Sequence, residues 1–230
     1  MKKILVIFFL AALTIGIEAL YYCRRPVRST AFAESALAAF GGFRSLAGEI
    51  IWFRADRLQD EGRYVELAQL AHALTLSEPH TPEVWAYAAW NLAYNVSVMM
   101  PTPEDRWRWV DAALTLLRDD ALRLNPDSAE LYREVAWLFE LKIGTDLDNA
   151  APVYRRIWRE RVEEVARTGD WASLNMDLGR MEALEAKYGL HDRADPFYSA
   201  IYWASFKDDP MLKEILRQSL VLYRKAHPDG

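Results

Sequence analysis

The chain has 230 residues, a hydrophobic fraction of 52%, a charged fraction of 27% and a formal net charge of −5. That balance describes a folded protein long enough for one solenoid-like domain or two small ones, and it excludes a disordered tail. The negative charge argues against nucleic-acid binding, which needs a basic face to neutralise phosphates. With Cys23 as its single cysteine, the chain can form no intrachain disulfide and no cysteine-based zinc site.

Lys2 and Lys3 precede an apolar run from Ile4 to Tyr22, broken only by Thr14, Gly16 and Glu18. As a helix this run spans about 28 Å, close to the hydrocarbon thickness of a bilayer. Glu18 lies near its distal end, Tyr21 and Tyr22 suit the headgroup level, and Arg24, Arg25 and Arg28 stop it. A cleavable signal needs a small-x-small site soon after the apolar run, and the first, Ala31-Phe32-Ala33, lies beyond the three arginines. Tyr22 is too bulky to precede a lipoprotein cysteine. The segment is therefore expected to be an uncleaved single-pass membrane anchor over residues 1–28. Charges on its two sides nearly balance under the positive-inside rule. The body is expected outside the cytoplasm because bacterial N-terminal signal anchors usually place it there. Residues 29–47, with Gly41-Gly42, read as a hinge and lead-in helix.

No long stretch alternates apolar and polar residues with β-branched side chains, so the body is expected to be all-α. From Gly48 the chain repeats itself. Pro79 ends an apolar stretch and Trp85 follows six residues later; Pro126 ends another, and Tyr132 follows at the same distance. The stretches before the two prolines, 71–79 and 118–126, match each other as well. Ala121-Leu122-Arg123-Leu124-Asn125-Pro126-Asp127 resembles the end of a tetratricopeptide repeat, whose unit of about 34 residues forms two antiparallel helices.

The resemblance implies a first unit with helices over 48–60 and 63–77, a second beginning at Pro82 and a third at Ala129. Trp85 and Tyr132 then take the family's aromatic position, Ala55, Ala89 and Ala136 its small position, and Gly62 the turn between helices. The sequence departs from the family in three ways. Pro79 and Pro126 stand 47 residues apart, the excess falling at Val96–Pro103 and in a lengthened helix over 103–124. Leu67 and Leu114 replace alanine. The register fades after residue 143, so the resemblance covers 48–143, a short stack of antiparallel helical hairpins. Residues 144–230 are expected to add helices near 149–167, 174–188, 195–206 and 210–225 that pack on the array, with breaks at Gly144, Gly169, Gly189 and Pro210. Thr81, Thr102 and an Asp127/Glu130 capping box are the expected helix starts.

The resemblance further implies a concave groove lined by the first helix of each unit. Carried over residue by residue, the groove takes Glu49, Trp52, Asp56 and Gln59; then Glu83, Ala86, Trp90 and Ala93 with Tyr94 beside them; then Glu130, Arg133, Trp137 and Glu140. The expected partner-binding residues are Trp52, Asp56, Glu83, Trp90, Tyr94, Glu130, Arg133 and Trp137. Such an acidic, aromatic surface suits a basic or amphipathic segment of a protein partner. The competing reading makes Trp52, Trp90 and Trp137 core residues, the commoner fate of tryptophans at helical spacing. Asn91 and Asn95 read either as contacts to a peptide backbone or as groups satisfying an irregular turn.

Nothing points to catalysis. His72, His80, His191 and His227 have no second histidine or cysteine at ligand spacing, and no nucleophile elbow, phosphate loop or dinucleotide fingerprint occurs. Asp119-Asp120 and Glu163-Glu164 read as solvated charges, as do Arg155, Arg156, Arg159 and Arg161. His191-Asp192-Arg193 reads as a polar loop leading into a helix capped by Asp195. The expected function is thus a membrane-anchored interaction scaffold, with no catalytic, cofactor or metal site. Two rivals are a subunit of a membrane transport or secretion complex, and an enzyme or small-ligand binder whose pocket is assembled from distant residues.

Overall fold

Pro82, Pro103, Pro196 and Pro210 each stand at the first position of a helix. There the fixed φ suits the helix and the missing N–H costs nothing. The computed structural model describes residues 60–228 together with 54, 57 and 58. The expected anchor and hinge, together with Trp52 and Asp56, lie outside the described residues. Among the described residues the chain is all-α, with eight helices of nine residues or more and no strand. They are α1 (Tyr64–Ser77), α2 (Pro82–Trp90), α3 (Pro103–Thr115), α4 (Ala129–Trp137), α5 (Ala151–Thr168), α6 (Leu178–Tyr188), α7 (Pro196–Ala204) and α8 (Pro210–Ala226). None of the described helices is long and apolar enough to cross a membrane.

Three of these helices do not stop where their α-helical part ends. α2 continues through a π-helical stretch, Asn91–Val96, and a 3₁₀ turn, Ser97–Met99. α3 continues through Leu116–Ala121, also π-helical, to Leu124. α4 continues through the π-helical Leu138–Gly144. A π-helical turn holds more residues than an α turn, so it rotates every later side chain relative to the face set before it.

Helix starts follow local chemistry, with two corrections to the sequence reading. Thr102 caps α3 by accepting the Asp105 N–H at 3.1 Å, and Asp195 caps α7 by accepting the Phe197 N–H at 2.7 Å. Thr81 makes no side-chain cap, and α4 is capped by Ser128, which accepts the Leu131 N–H at 3.3 Å. Asp127 turns away and pairs with Lys207 at 2.9 Å. It stands one residue too early in the chain to reach the helix amides. Gly169 and Gly189 end α5 and α6 in the left-handed conformation, with φ of 75° and 73°.

α4 is the hub of the packing: it meets α2, the π-helical end of α3, α7 and α8. α5 lies against α3 and against the π-helical stretch of α4, and α7 packs on α8. Ala89 and Ala136, both fully buried, keep α2 and α4 slender at the equivalent position of each. The two corresponding turns are clipped together: the Pro79 carbonyl accepts both Trp85 Nε1 and Asn125 Nδ2 at 2.9 Å. At the end of α4, a Cβ on Gly144 would lie 2.6 Å from the Phe197 ring, so glycine is what lets α7 approach.

The arginines of α5 are not simply a solvated face. Arg159 grips Asp192 and Arg161 grips Asp111 through two nitrogens each, while Arg155 caps the carbonyls of Ile143, Gly144 and Thr145. Arg156 and Arg167 keep to exposed partners, whereas Arg159 and Arg161 do not. Their acidic partners lie 33 and 50 residues away, beyond the reach of a local charge pattern.

A buried ion pair joins several of these elements. Lys142, in the π-helical end of α4, places Nζ 2.6 Å from Asp148 Oδ2. Asp148 also accepts the Tyr154 hydroxyl at 3.0 Å and the Ala150 N–H at 2.9 Å, and Arg106 of α3 reaches it at 3.4 Å. Burial alone would raise the Asp148 carboxyl, but these donors outweigh it and hold it below the usual carboxylate range. Lys142→Met should cost about 3–5 kcal/mol at neutral pH, because the change strands a buried carboxylate. A carboxyl with a depressed folded value contributes stability above its unfolded pKa of about 3.9, and that contribution fades as pH falls through the folded value. The gap between wild type and variant in urea denaturation should therefore narrow in acid; a gap independent of pH counts against this role for the pair.

Candidate functional site

Between α2 and α4 lies an open cavity of about 520 Å³. Its walls come from matching positions of the two helices, at the same 47-residue offset that separates Pro79 from Pro126. Glu83 matches Glu130, Tyr87 matches Glu134, Trp90 matches Trp137 and Tyr94 matches Leu141, and all eight line the cavity. Leu117 of the π-helical stretch after α3 and Leu147 of the loop before α5 complete its apolar part.

Five of the eight residues expected from the sequence are brought together here: Glu83, Trp90, Tyr94, Glu130 and Trp137. Arg133 stands beside the cavity, its guanidinium 5.3 Å from the centre of the Trp137 ring. Trp52 and Asp56 fall outside the described residues. Trp90 is no core residue: it is 41% exposed and stacks on Tyr94 with ring centres 6.1 Å apart. Trp137 is half-buried.

The groove positions expected at the ends of these helices are corrected by the π-helical stretches. Ala93 and Glu140 point inward and are buried. Glu140 accepts the Ser219 hydroxyl of α8 at 2.5 Å. The wider turn begins right after each tryptophan, and the residues four further on, Tyr94 and Leu141, line the cavity where those three further on do not. The resemblance does not point to Tyr87, Ala89, Leu117, Glu134, Leu138, Leu141 or Leu147, which line the cavity as well. The 47-residue offset itself was the available signal for Glu134, which stands where Tyr87 stands in the other helix. Asn91 is buried and accepts Asn95 Nδ2 at 3.0 Å.

The electrostatics of the cavity are one-sided. Glu83, Glu130 and Glu134 line it, and among the described residues no basic side chain does. Arg133 approaches from outside, 3.8 Å from Glu130 and 3.6 Å from Glu134. Burial pushes the Glu134 carboxyl above its ordinary value, Arg133 opposing and Glu130 adding to the rise. Burial, with the Glu134 charge, also pushes the Tyr94 hydroxyl up to about 12. Behind Tyr94 lies Lys142, its ammonium 5.1 Å from the ring centre and held by Asp148.

A second concave surface, of about 680 Å³, lies among α6, the end of α7 and α8, with Arg180, Lys187, Lys207 and Lys213 on its walls. All four cations are engaged: Arg180 stacks on Phe206, Lys187 lies over the Tyr188 ring, Lys207 pairs with Asp127 and Lys213 with Asp208. Asp192, Asp195 and His227 offer oxygen and nitrogen atoms within 4.8 Å of one another, the spacing of metal ligands. However, Asp192 is gripped by Arg159, and Asp195 accepts both the Phe197 N–H and His227 Nε2, the latter at 2.9 Å. The cluster works as a latch from the end of α8 to the start of α7.

The raised Glu134 carboxyl has a consequence for stability. A carboxyl whose folded value lies above its unfolded one favours folding while protonated, and loses that contribution as pH rises through the folded value. Glu134→Gln should therefore gain stability relative to wild type between pH 4 and pH 7, as an upward shift in urea midpoint. Identical midpoint differences at both pH values would show that the carboxylate carries no burial cost here.

No family model, curated protein or solved structure matches the chain, so its function is argued from its own geometry.

Proposed function

We propose that this chain is a membrane-anchored scaffold. In this reading the N-terminal segment holds it in a bacterial envelope membrane, with the body outside the cytoplasm. The helices from Gly48 onward form a short tetratricopeptide-like array, and the groove between α2 and α4 holds a segment of another envelope protein. The chain works by binding, not by catalysis.

The observation that carries the reading is the cavity with equivalent walls. The same helix positions of two repeats open onto one space, each contributing a glutamate and a tryptophan. Repeat arrays bind through surfaces of this kind, built from corresponding positions of stacked units. Trp90 is a large aromatic side chain left 41% exposed at the rim, and Leu147 beside it is 67% exposed. Apolar groups of that size left open to water over a cavity are the usual anchors of an interface.

The test is a comparison of the full chain with its Trp90→Ala/Trp137→Ala double variant, each recovered from native membranes after crosslinking. A specific co-purifying protein should be present with the wild type and reduced by about tenfold or more with the double variant, the loss of two interface anchors. Far-ultraviolet circular dichroism should show equal helicity. Retention of the same protein by a well-folded double variant rejects the groove as its binding site.

A further inference from the structure

Resting on the reading of the α2–α4 cavity as a partner-binding groove, we propose what occupies it. The occupant is a single arginine or lysine side chain from an extended segment of the partner protein, seated against Trp90 and Trp137 with Glu134 as its counter-charge.

Three observations point to a cation. First, the lining carries three carboxylates, Glu83, Glu130 and Glu134, and among the described residues no basic side chain. Arg133 offsets them only from outside, at 3.6 and 3.8 Å, and Glu134 remains a half-buried acid whose ionisation is opposed by its surroundings. A cation placed beside it removes that penalty. Second, the walls are aromatic faces, the surfaces that attract ammonium and guanidinium groups most strongly when partly shielded from water. The protein already uses these rings in this way: Arg133 lies over Trp137 and Lys142 over Tyr94. Third, the approach is lined by exposed hydrocarbon. Leu147 and the Trp90 ring offer an apolar path to the methylene stem of a long basic side chain, whose charged head then reaches the carboxylates.

The geometry also argues for a peptide over a free amine. The cavity is open to solvent along α2 and α4, and matched glutamates sit one helix face apart at Glu83 and Glu130. Those two rim charges lie away from the tryptophans by about two turns, roughly 10 Å, the reach of about three residues of an extended chain.

The experiment follows the indole N–H signals of Trp90 and Trp137 by nuclear magnetic resonance in the full chain. The titrants are the blocked tripeptides alanyl-arginyl-alanine, alanyl-lysyl-alanine and alanyl-glutaminyl-alanine, and tetramethylammonium. Both cationic peptides should shift the two signals saturably, about tenfold more tightly than the glutamine peptide, and added salt should weaken them. Glu134→Gln should lower the affinity for the arginine peptide about fivefold or more while leaving the glutamine peptide unaffected, and Trp137→Ala should lower both. Equal binding of the glutamine peptide, an unchanged affinity in Glu134→Gln, or tetramethylammonium binding more tightly than either cationic peptide overturns the proposal. If no peptide shifts the indoles while Trp90→Ala/Trp137→Ala still loses its co-purifying protein, the cation inference falls and the groove stands. If the double variant keeps that protein, the groove reading falls and the inference with it.

Discussion

Lys142 and Asp148 form the contact on which most of the other packing turns. Their 2.6 Å pair is buried, and the groups around it come from three other places in the chain: Arg106 of α3, Ala150 and Tyr154 at the start of α5, and the Tyr94 ring in the π-helical continuation of α2. Two opposite charges taken out of water are tolerable only with such complete partnering. The pair therefore fixes where the end of α4 sits against α5 and α3. It also sets the back of the cavity wall, since Tyr94 faces the cavity on one side and Lys142 on the other.

The π-helical stretches matter for the same reason. An α-helix continued past Trp90 and Trp137 would bring Ala93 and Glu140 nearer the cavity. The wider turns instead turn these residues into the interior, where Glu140 takes a hydroxyl from α8, and bring Tyr94 and Leu141 to the wall. One local distortion, repeated in two helices at the same position, both closes the core and opens the site. The acidity of the cavity is then a matter of what the repeat supplies: a glutamate at Glu83 and Glu130, and a third at Glu134 where the other helix carries Tyr87.

The helices that bound this site are tied by contacts that span the chain. Arg159 and Arg161 carry α5 to distant acids, Asn125 and Trp85 share the Pro79 carbonyl, and Gly144 leaves room for the Phe197 ring. These ties keep α4 in one place relative to α2, α5 and α7. A groove whose two walls belong to different repeats needs that rigidity, because its shape is set by the spacing between helices and not within either one.

The sequence by itself determined that the described residues are all-helical and where α2, α3, α4 and α8 begin. Proline at the first turn, glycine at the last and apolar spacing between them act over a few residues, and the 47-residue echo of Pro79 and Trp85 in Pro126 and Tyr132 aligned the two groove-forming helices. Five of the expected partner-binding residues line the cavity, and they came from the tetratricopeptide resemblance, not from that echo alone. The tertiary structure decided the rest: that Ser128 and not Asp127 caps α4, that the α5 arginines are ties, that Glu134 joins the site, and that Ala93 and Glu140 leave it. The α5 ties depend on partners far along the chain, and the places of Ala93 and Glu140 on a π-helical turn formed under packing; neither leaves a mark in local sequence.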